Sequence, residues 1–284
     1  MDALKIGTLV VPGARLHFEV RGGGPLLLLI PGGNSDATVF DRLAAVLATA
    51  HRVVSYDPRG YSRSPLDGPP VEQRIEVHAD DAYRLLSHVA VAGEPAQVFG
   101  SCSGGLVALE LAVRHRDRVR SVVAHEPPAM GLLPDAARYR ALFDDAHETF
   151  RREGVASALR KLEPLFGGRP APVLPEAHDN SAFFLEHMVR SSTRYVPDPA
   201  ALATVAERIV LAGGHDSRAD VIHRPAAVLA ERLGHEPAEF PGGHVGYVRY
   251  PAEFAERLID VLAAAPRHRD VSARPATEGP TACA

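Results

Sequence analysis

Apolar residues in this 284-residue chain recur in short blocks, each closed by glycine, proline or a polar turn, with segments of helical spacing between them. Leu9-Val10-Val11, the turn Pro12-Gly13-Ala14 and the alternating Leu16-His17-Phe18-Glu19-Val20 predict a hairpin. Pro25 through Ile30 is a continuous apolar run, as a strand buried on both faces requires. A helix over 40–50, a strand over 52–56 and a helix over 71–89 follow. A strand ending at Val98-Phe99, a helix from Leu106 and a strand over 119–124 come next. The alternation returns with strands at 208–212 and 237–240 and helices at 222–233 and 251–264. This order predicts an α/β fold: a doubly wound, mainly parallel sheet with helices on both faces.

Between Met130 and Pro199 the strand pattern lapses, and helical segments are expected at 134–152, 154–166 and 181–192. An all-helical insert placed after the sixth strand reads as a lid over whatever lies at that strand's end. The chain thus divides into a first core part (1–129), a helical lid (130–200), a second core part (201–265) and a tail (266–284). The tail has little to bury and is expected to be disordered. His78 and His88, in the helix over 71–89, are read as solvated, and Asp57 and Arg59 as braces of the loop after the fourth strand.

Composition narrows the class. The net charge is −4 and no dense basic cluster is interleaved with aromatics, so a nucleic acid partner is not expected. No run of about 18 apolar residues and no secretory leader pattern occurs, which gives a cytoplasmic expectation without a membrane partner. The cysteines are Cys102 and Cys283, too few for a disulfide framework or a metal-ligand set. No metal or other cofactor is expected, and nothing in the sequence specifies an oligomeric state.

The chemistry concentrates in Val98-Phe99-Gly100-Ser101-Cys102-Ser103-Gly104-Gly105. A strand running straight into a helix can lift a nucleophile on a tight turn, provided the residues two before and two after it are small. Centred on Cys102, the flanks are Gly100 and Gly104; centred on Ser103, they are Ser101 and Gly105, a poorer register. Two other strand ends carry Asp216, after Gly213-Gly214-His215, and His244, after Gly242-Gly243. A nucleophile needs a base, and the base needs a carboxylate to hold its tautomer, so Cys102, His244 and Asp216 form the expected triad. Glu126, closing the strand over 119–124, is the reserve acid, and Asp220 a weaker one.

Together these motifs resemble the α/β-hydrolase superfamily: Pro31-Gly32-Gly33, Asp57-Pro58-Arg59-Gly60, the elbow, Gly213-Gly214-His215-Asp216 and Gly242-Gly243-His244, over residues 5 to 264. The resemblance implies an oxyanion hole formed by the backbone N–H groups of Gly33 and Ser103. It departs from the common pattern in carrying Pro31 where relatives often have His, and Cys where most have Ser. The elbow is locally similar to those of dienelactone hydrolases and polyhydroxyalkanoate synthases, a likeness too local to transfer a substrate. Epoxide and haloalkane hydrolysis on this fold use an Asp nucleophile, and Cys102 argues against both.

The expected activity is hydrolysis of a small-molecule ester, lactone or thioester through an acyl-Cys intermediate. The alternative is an acyltransferase or cyclase, in which a bound hydroxyl or amine intercepts the acyl group; a non-catalytic ligand-binding protein is the third reading. Candidates to line the acyl site are Asn34, Glu126, Met130, Phe183, Phe184 and Met188, although the lid aromatics and Met188 equally suit packing within the lid.

Overall fold

The computed structural model describes residues 4–170 and 178–264. The expected tail, with Cys283, lies outside the described residues.

The chain opens with β1 (Lys5–Val11) and β2 (Ala14–Arg21), the antiparallel hairpin expected from its alternation. It continues through β3 (Leu26–Ile30), α1 (Asp41–Leu47), β4 (Arg52–Tyr56), α2 (Ile75–Val89), β5 (Ala96–Ser101), α3 (Ser103–Arg114) and β6 (Val119–His125). Five helices follow: α4 (Ala136–Glu153), α5 (Val155–Lys161), α6 (His178–His187), α7 (Val189–Arg194) and α8 (Pro199–Ala203). The core resumes with β7 (Ile209–Gly214), α9 (Arg224–Arg232), β8 (Ala238–Phe240), α10 (Gly246–Arg249) and α11 (Pro251–Ala264).

The eight strands form one sheet in the order β1-β2-β4-β3-β5-β6-β7-β8, with β2 antiparallel to β4 and every pair from β4 to β8 parallel. From β3 the chain steps outward to β4, then returns to place β5 on the other side of β3. The crevice above the carboxyl ends of β3 and β5 is therefore the topological switch point, where open α/β sheets bind ligands.

The apolar run of β3 is read by both layers. Leu26, Leu28 and Ile30 point to the face covered by α2 and α3, with Ile75, Ala79, Leu106 and Leu109; Leu27 and Leu29 point to the face covered by α1 and α11, with Leu43, Leu47, Phe254 and Leu258. Fully burying one such leucine side chain is worth about 1.5–3 kcal/mol, so a central strand flanked on both faces anchors the sheet. The loops above it are tied by ion pairs. Arg63 donates to the fully buried Asp57 at 2.8 Å, and Arg59 donates twice to Asp81 at 2.6 Å. Asp57 and Arg59 are structural braces, as read from the sequence.

Three elements differ from the local pattern. The helix expected over 181–192 is two helices broken at Met188, and the one expected over 154–166 ends at Lys161 and continues as a 3₁₀ turn, Glu163–Phe166. His78 is not solvated: it lies on the buried face of α2, and burial, helped by the charge of Arg59, pushes its pKa down to about 3.

The helical segment between β6 and β7 has a small core of its own. Met130, Leu133, Tyr139, Phe143, Leu162, Leu165 and Val189 pack together beside the switch point, joined by Ile222 from the loop after β7. No helix among the described residues is long and apolar enough to cross a membrane.

Candidate active site

Cys102 sits between β5 and α3 at φ 53°, ψ −128°, a backbone conformation few residues with a Cβ adopt. The turn is held by Cys102 N–H donating to the His125 carbonyl at 2.9 Å and Gly105 N–H donating to the Cys102 carbonyl at 2.8 Å. Its flanks explain the composition of the elbow. A Cβ on Gly100 would lie 2.2 Å from the Gly104 carbonyl oxygen, and one on Gly104 would lie 2.3 Å from that of Ile30. Of the two registers open in the sequence, this geometry belongs to Cys102; Ser103 is the first residue of α3.

His244 lies in the loop between β8 and α10, with its side chain 10% exposed. Its Nδ1 is 2.7 Å from Oε2 of Glu126, and the imidazole lines the same cleft as Cys102. Burial alone would lower the pKa of His244, but Cys102 and Glu126 outweigh it and push it up to about 10. The arrangement therefore favours imidazolium beside Cys102.

The carboxylate on His244 is thus Glu126, the reserve acid, and not Asp216. Asp216 is exposed, and its backbone N–H is bound to the Gly242 carbonyl at 2.9 Å in the turn after β7. Asp220, the weaker candidate, is instead ion-paired with Arg169. Glu126 is fully buried directly after β6 at φ 46°, a turn that points it back over the sheet. Its Oε1 accepts from Gly214 N–H at 2.9 Å and from the Ser217 hydroxyl, and lies 3.3 Å from His223 Nδ1. Burial opposes the charge of Glu126, yet His223 and His244 hold its pKa well below the usual carboxylate value. Ser217 and His223 carry no sequence signal, since nothing in their spacing ties them to residue 126.

A cleft open to solvent lies above Cys102. Gly32, Gly33, Asn34, Ser103 and His244 form its reactive end; Phe143, Leu159, Leu162, Leu165, Phe184 and Ile222 supply much of its apolar wall. Of the expected lining residues, Asn34 and Phe184 are in place. Phe183 instead packs edge-on against Tyr61 at 5.0 Å, Met130 is buried in the small helical core, and Met188 faces a separate small cavity behind the Gly33 loop. At helical spacing, only the tilt of α6 decides which of Phe183 and Phe184 turns inward. Asn34 also donates to Ser181 of α6 at 2.8 Å, tying the helical segment to the glycine loop.

A family model described as alpha/beta hydrolase fold matches residues 25–163. An uncharacterized hydrolase of Bacillus subtilis, YraK, is 40% identical over 92% of this chain and 97% of its own. A zearalenone hydrolase of Cladophialophora bantiana is 24% identical over 91% of this chain and 97% of its own. Among solved structures, a thermophilic esterase from Thermogutta terrifontis superposes with TM-score 0.71 at 21% identity, covering 91% of this chain and 97% of the esterase. Sheet order, elbow and the relative at 40% identity agree: the chain belongs to the α/β-hydrolase superfamily.

Proposed function

We propose that this protein hydrolyses an uncharged ester, lactone or thioester carrying an apolar acyl group, through an acyl intermediate on Cys102. The observation that carries the reading is Cys102 on its strained elbow sharing one end of a largely apolar cleft with His244, whose Nδ1 is held by Glu126 at 2.7 Å. Lys, Arg, Asp and Glu are absent from the described residues lining that cleft, so away from His244 its wall offers a charged acyl group no partner.

In this reaction the Cys102 proton passes to His244, and the sulfur forms a bond to the substrate carbonyl carbon as the carbonyl electron pair moves onto oxygen. Collapse of that adduct expels the alcohol or thiol, which takes the proton from His244. Water, deprotonated by the same imidazole, then cleaves the thioester and restores the thiol. Glu126 keeps Nδ1 of His244 protonated, so the other ring nitrogen faces sulfur. The helices between β6 and β7 act as the lid that limits access of water. Two relatives, each 24% identical, are zearalenone hydrolases, which makes zearalenone a substrate to try.

The test is intact mass after brief exposure to short and medium p-nitrophenyl esters, acyl thioesters and zearalenone, with His244→Ala as control. An adduct on Cys102 that clears in water at the turnover rate supports hydrolysis. A stable adduct discharged only by an added alcohol or amine would make the protein an acyltransferase. Absence of any adduct and of any turnover across the panel would leave only the binding-protein reading.

A further inference from the structure

The resemblance to the superfamily implies that the backbone N–H of Gly33 binds the oxyanion, but in the structure that N–H already has a partner. It donates to the Ser103 Oγ at 2.9 Å. Gly33 adopts φ +61° after β3, which turns its N–H across the strand end toward α3. Ser103, the residue directly after Cys102, is 4% exposed and lines the cleft together with Gly33, Cys102 and His244.

We infer that the Ser103 hydroxyl is itself an oxyanion donor, interposed between the Gly33 N–H and the substrate carbonyl. The inference rests on the acyl-Cys102 reading above. A serine hydroxyl holds one proton and can accept through its lone pairs. Here the acceptor side is taken by Gly33, and among the described residues Ser103 Oγ donates to nothing, so its proton is free to turn toward the cleft. Accepting from Gly33 polarises the O–H bond, which strengthens its donation when negative charge develops on the carbonyl oxygen. The Ser103 backbone N–H, at the first turn of α3, supplies the second donor from the same residue. During attack the carbonyl oxygen takes the electron pair released as the sulfur–carbon bond forms. Ser103 lends a hydrogen bond to that oxygen and keeps its proton throughout.

The opposite role has the opposite signature. A hydroxyl that merely filled an empty hole would have to move away before substrate could bind, and removing it would speed the reaction. The experiment compares wild type, Ser103→Ala and Ser103→Thr with a p-nitrophenyl ester, following the acylation burst, steady-state kcat and KM, the acyl-Cys carbonyl stretch by difference infrared spectroscopy, and thermal melting. Loss of a single oxyanion donor costs about 10²–10³ in kcat. Ser103→Ala should fall by that order with KM nearly unchanged, its acyl carbonyl band should move to higher wavenumber, and Ser103→Thr, which keeps the hydroxyl, should recover at least part of the rate. Acylation in Ser103→Ala equal to or faster than wild type, or an unshifted carbonyl band, would overturn the inference while leaving the acyl-Cys reading intact. A wild-type protein that turns over ester without an adduct on Cys102 would overturn the acyl-Cys reading, and the inference with it.

Discussion

Glu126 and His223 meet 3.3 Å apart, on the carboxylate oxygen that His244 does not use. One carboxylate thus lies between two imidazoles, with Gly214 N–H and the Ser217 hydroxyl completing its shell. A buried charge is tolerated only when its hydrogen-bonding capacity is filled, and this shell fills it.

The two candidate acids make separable predictions. Glu126→Gln keeps the shape but removes the charge that holds the His244 tautomer, and kcat should fall by about 10³–10⁴. Asp216→Ala, at an exposed side chain, should stay within a few-fold of wild type. Steady-state kinetics on both, with melting curves as control, check this; the reverse ranking would restore Asp216.

His223 touches Glu126 and does not line the cleft, so it would act by positioning that carboxylate. Losing one hydrogen bond to a charged group is worth about 1.5–3 kcal/mol, which sets the upper limit of the effect on rate at about 10–100-fold. His223→Ala should lower kcat more than it raises KM. His223→Asn, whose amide can reach a similar place to Nδ1, should recover part of that loss. Equal kinetics in wild type and His223→Ala would show that Gly214 and Ser217 suffice.

Cys102 is the leading contribution raising the pKa of His244 against burial. Cys102→Ala should abolish turnover and let the His244 titration fall from about 10, as read from histidine ring signals by NMR. A raised folded-state pKa contributes stability in full below the unfolded value of about 6.5, and that contribution fades as pH rises toward the folded value.

His78 and His125 work in the other direction. Burial holds them down to about 3 and about 4, so the unfolded chain takes up protons below about pH 6.5 that the native state refuses. A tenfold loss of proton affinity on folding corresponds to about 1.4 kcal/mol, so stability should drop by several kcal/mol as pH falls from about 6.5 to about 4. Melting temperatures across that range should decline steeply, and His78→Leu should flatten the decline.

The elbow predicts a contrast between two neighbouring glycines. Gly104→Ala drives its new methyl against the Ile30 and Pro31 carbonyls, at 2.3 and 2.6 Å, and should destabilise by about 1–3 kcal/mol or more. Gly105→Ala meets nothing nearer than Pro127 Cβ at 3.2 Å and the Gly100 carbonyl at 3.3 Å, a closeness that a small displacement relieves. Denaturant melts of the two variants should separate clearly.

Much of this molecule is legible in its linear order. The continuous apolar run of β3, the alternation in the hairpin and the abrupt strand-to-helix change at Gly100–Gly104 are local consequences of burial and steric size, and residues a few positions apart carry them. Cys102 and His244 are legible for the same reason, since each sits in a glycine-marked turn at a strand end. The acid is not. β6 and β7 are parallel neighbours, with His125 registered against Ala212, so Glu126 and Asp216 both emerge near His244, and both types suit the task. The choice between them lies in the partners. Glu126 is inward because Gly214, Ser217, His223 and His244, 88 to 118 positions further along the chain, converge to offset the cost of burying its charge. The same holds for the hydroxyl of Ser103 against Gly33, 70 positions apart, and for Phe184 rather than Phe183 in the cleft. Local pattern decides which residues stand at strand ends; only the packed structure decides which buried polar group finds enough donors to stay there.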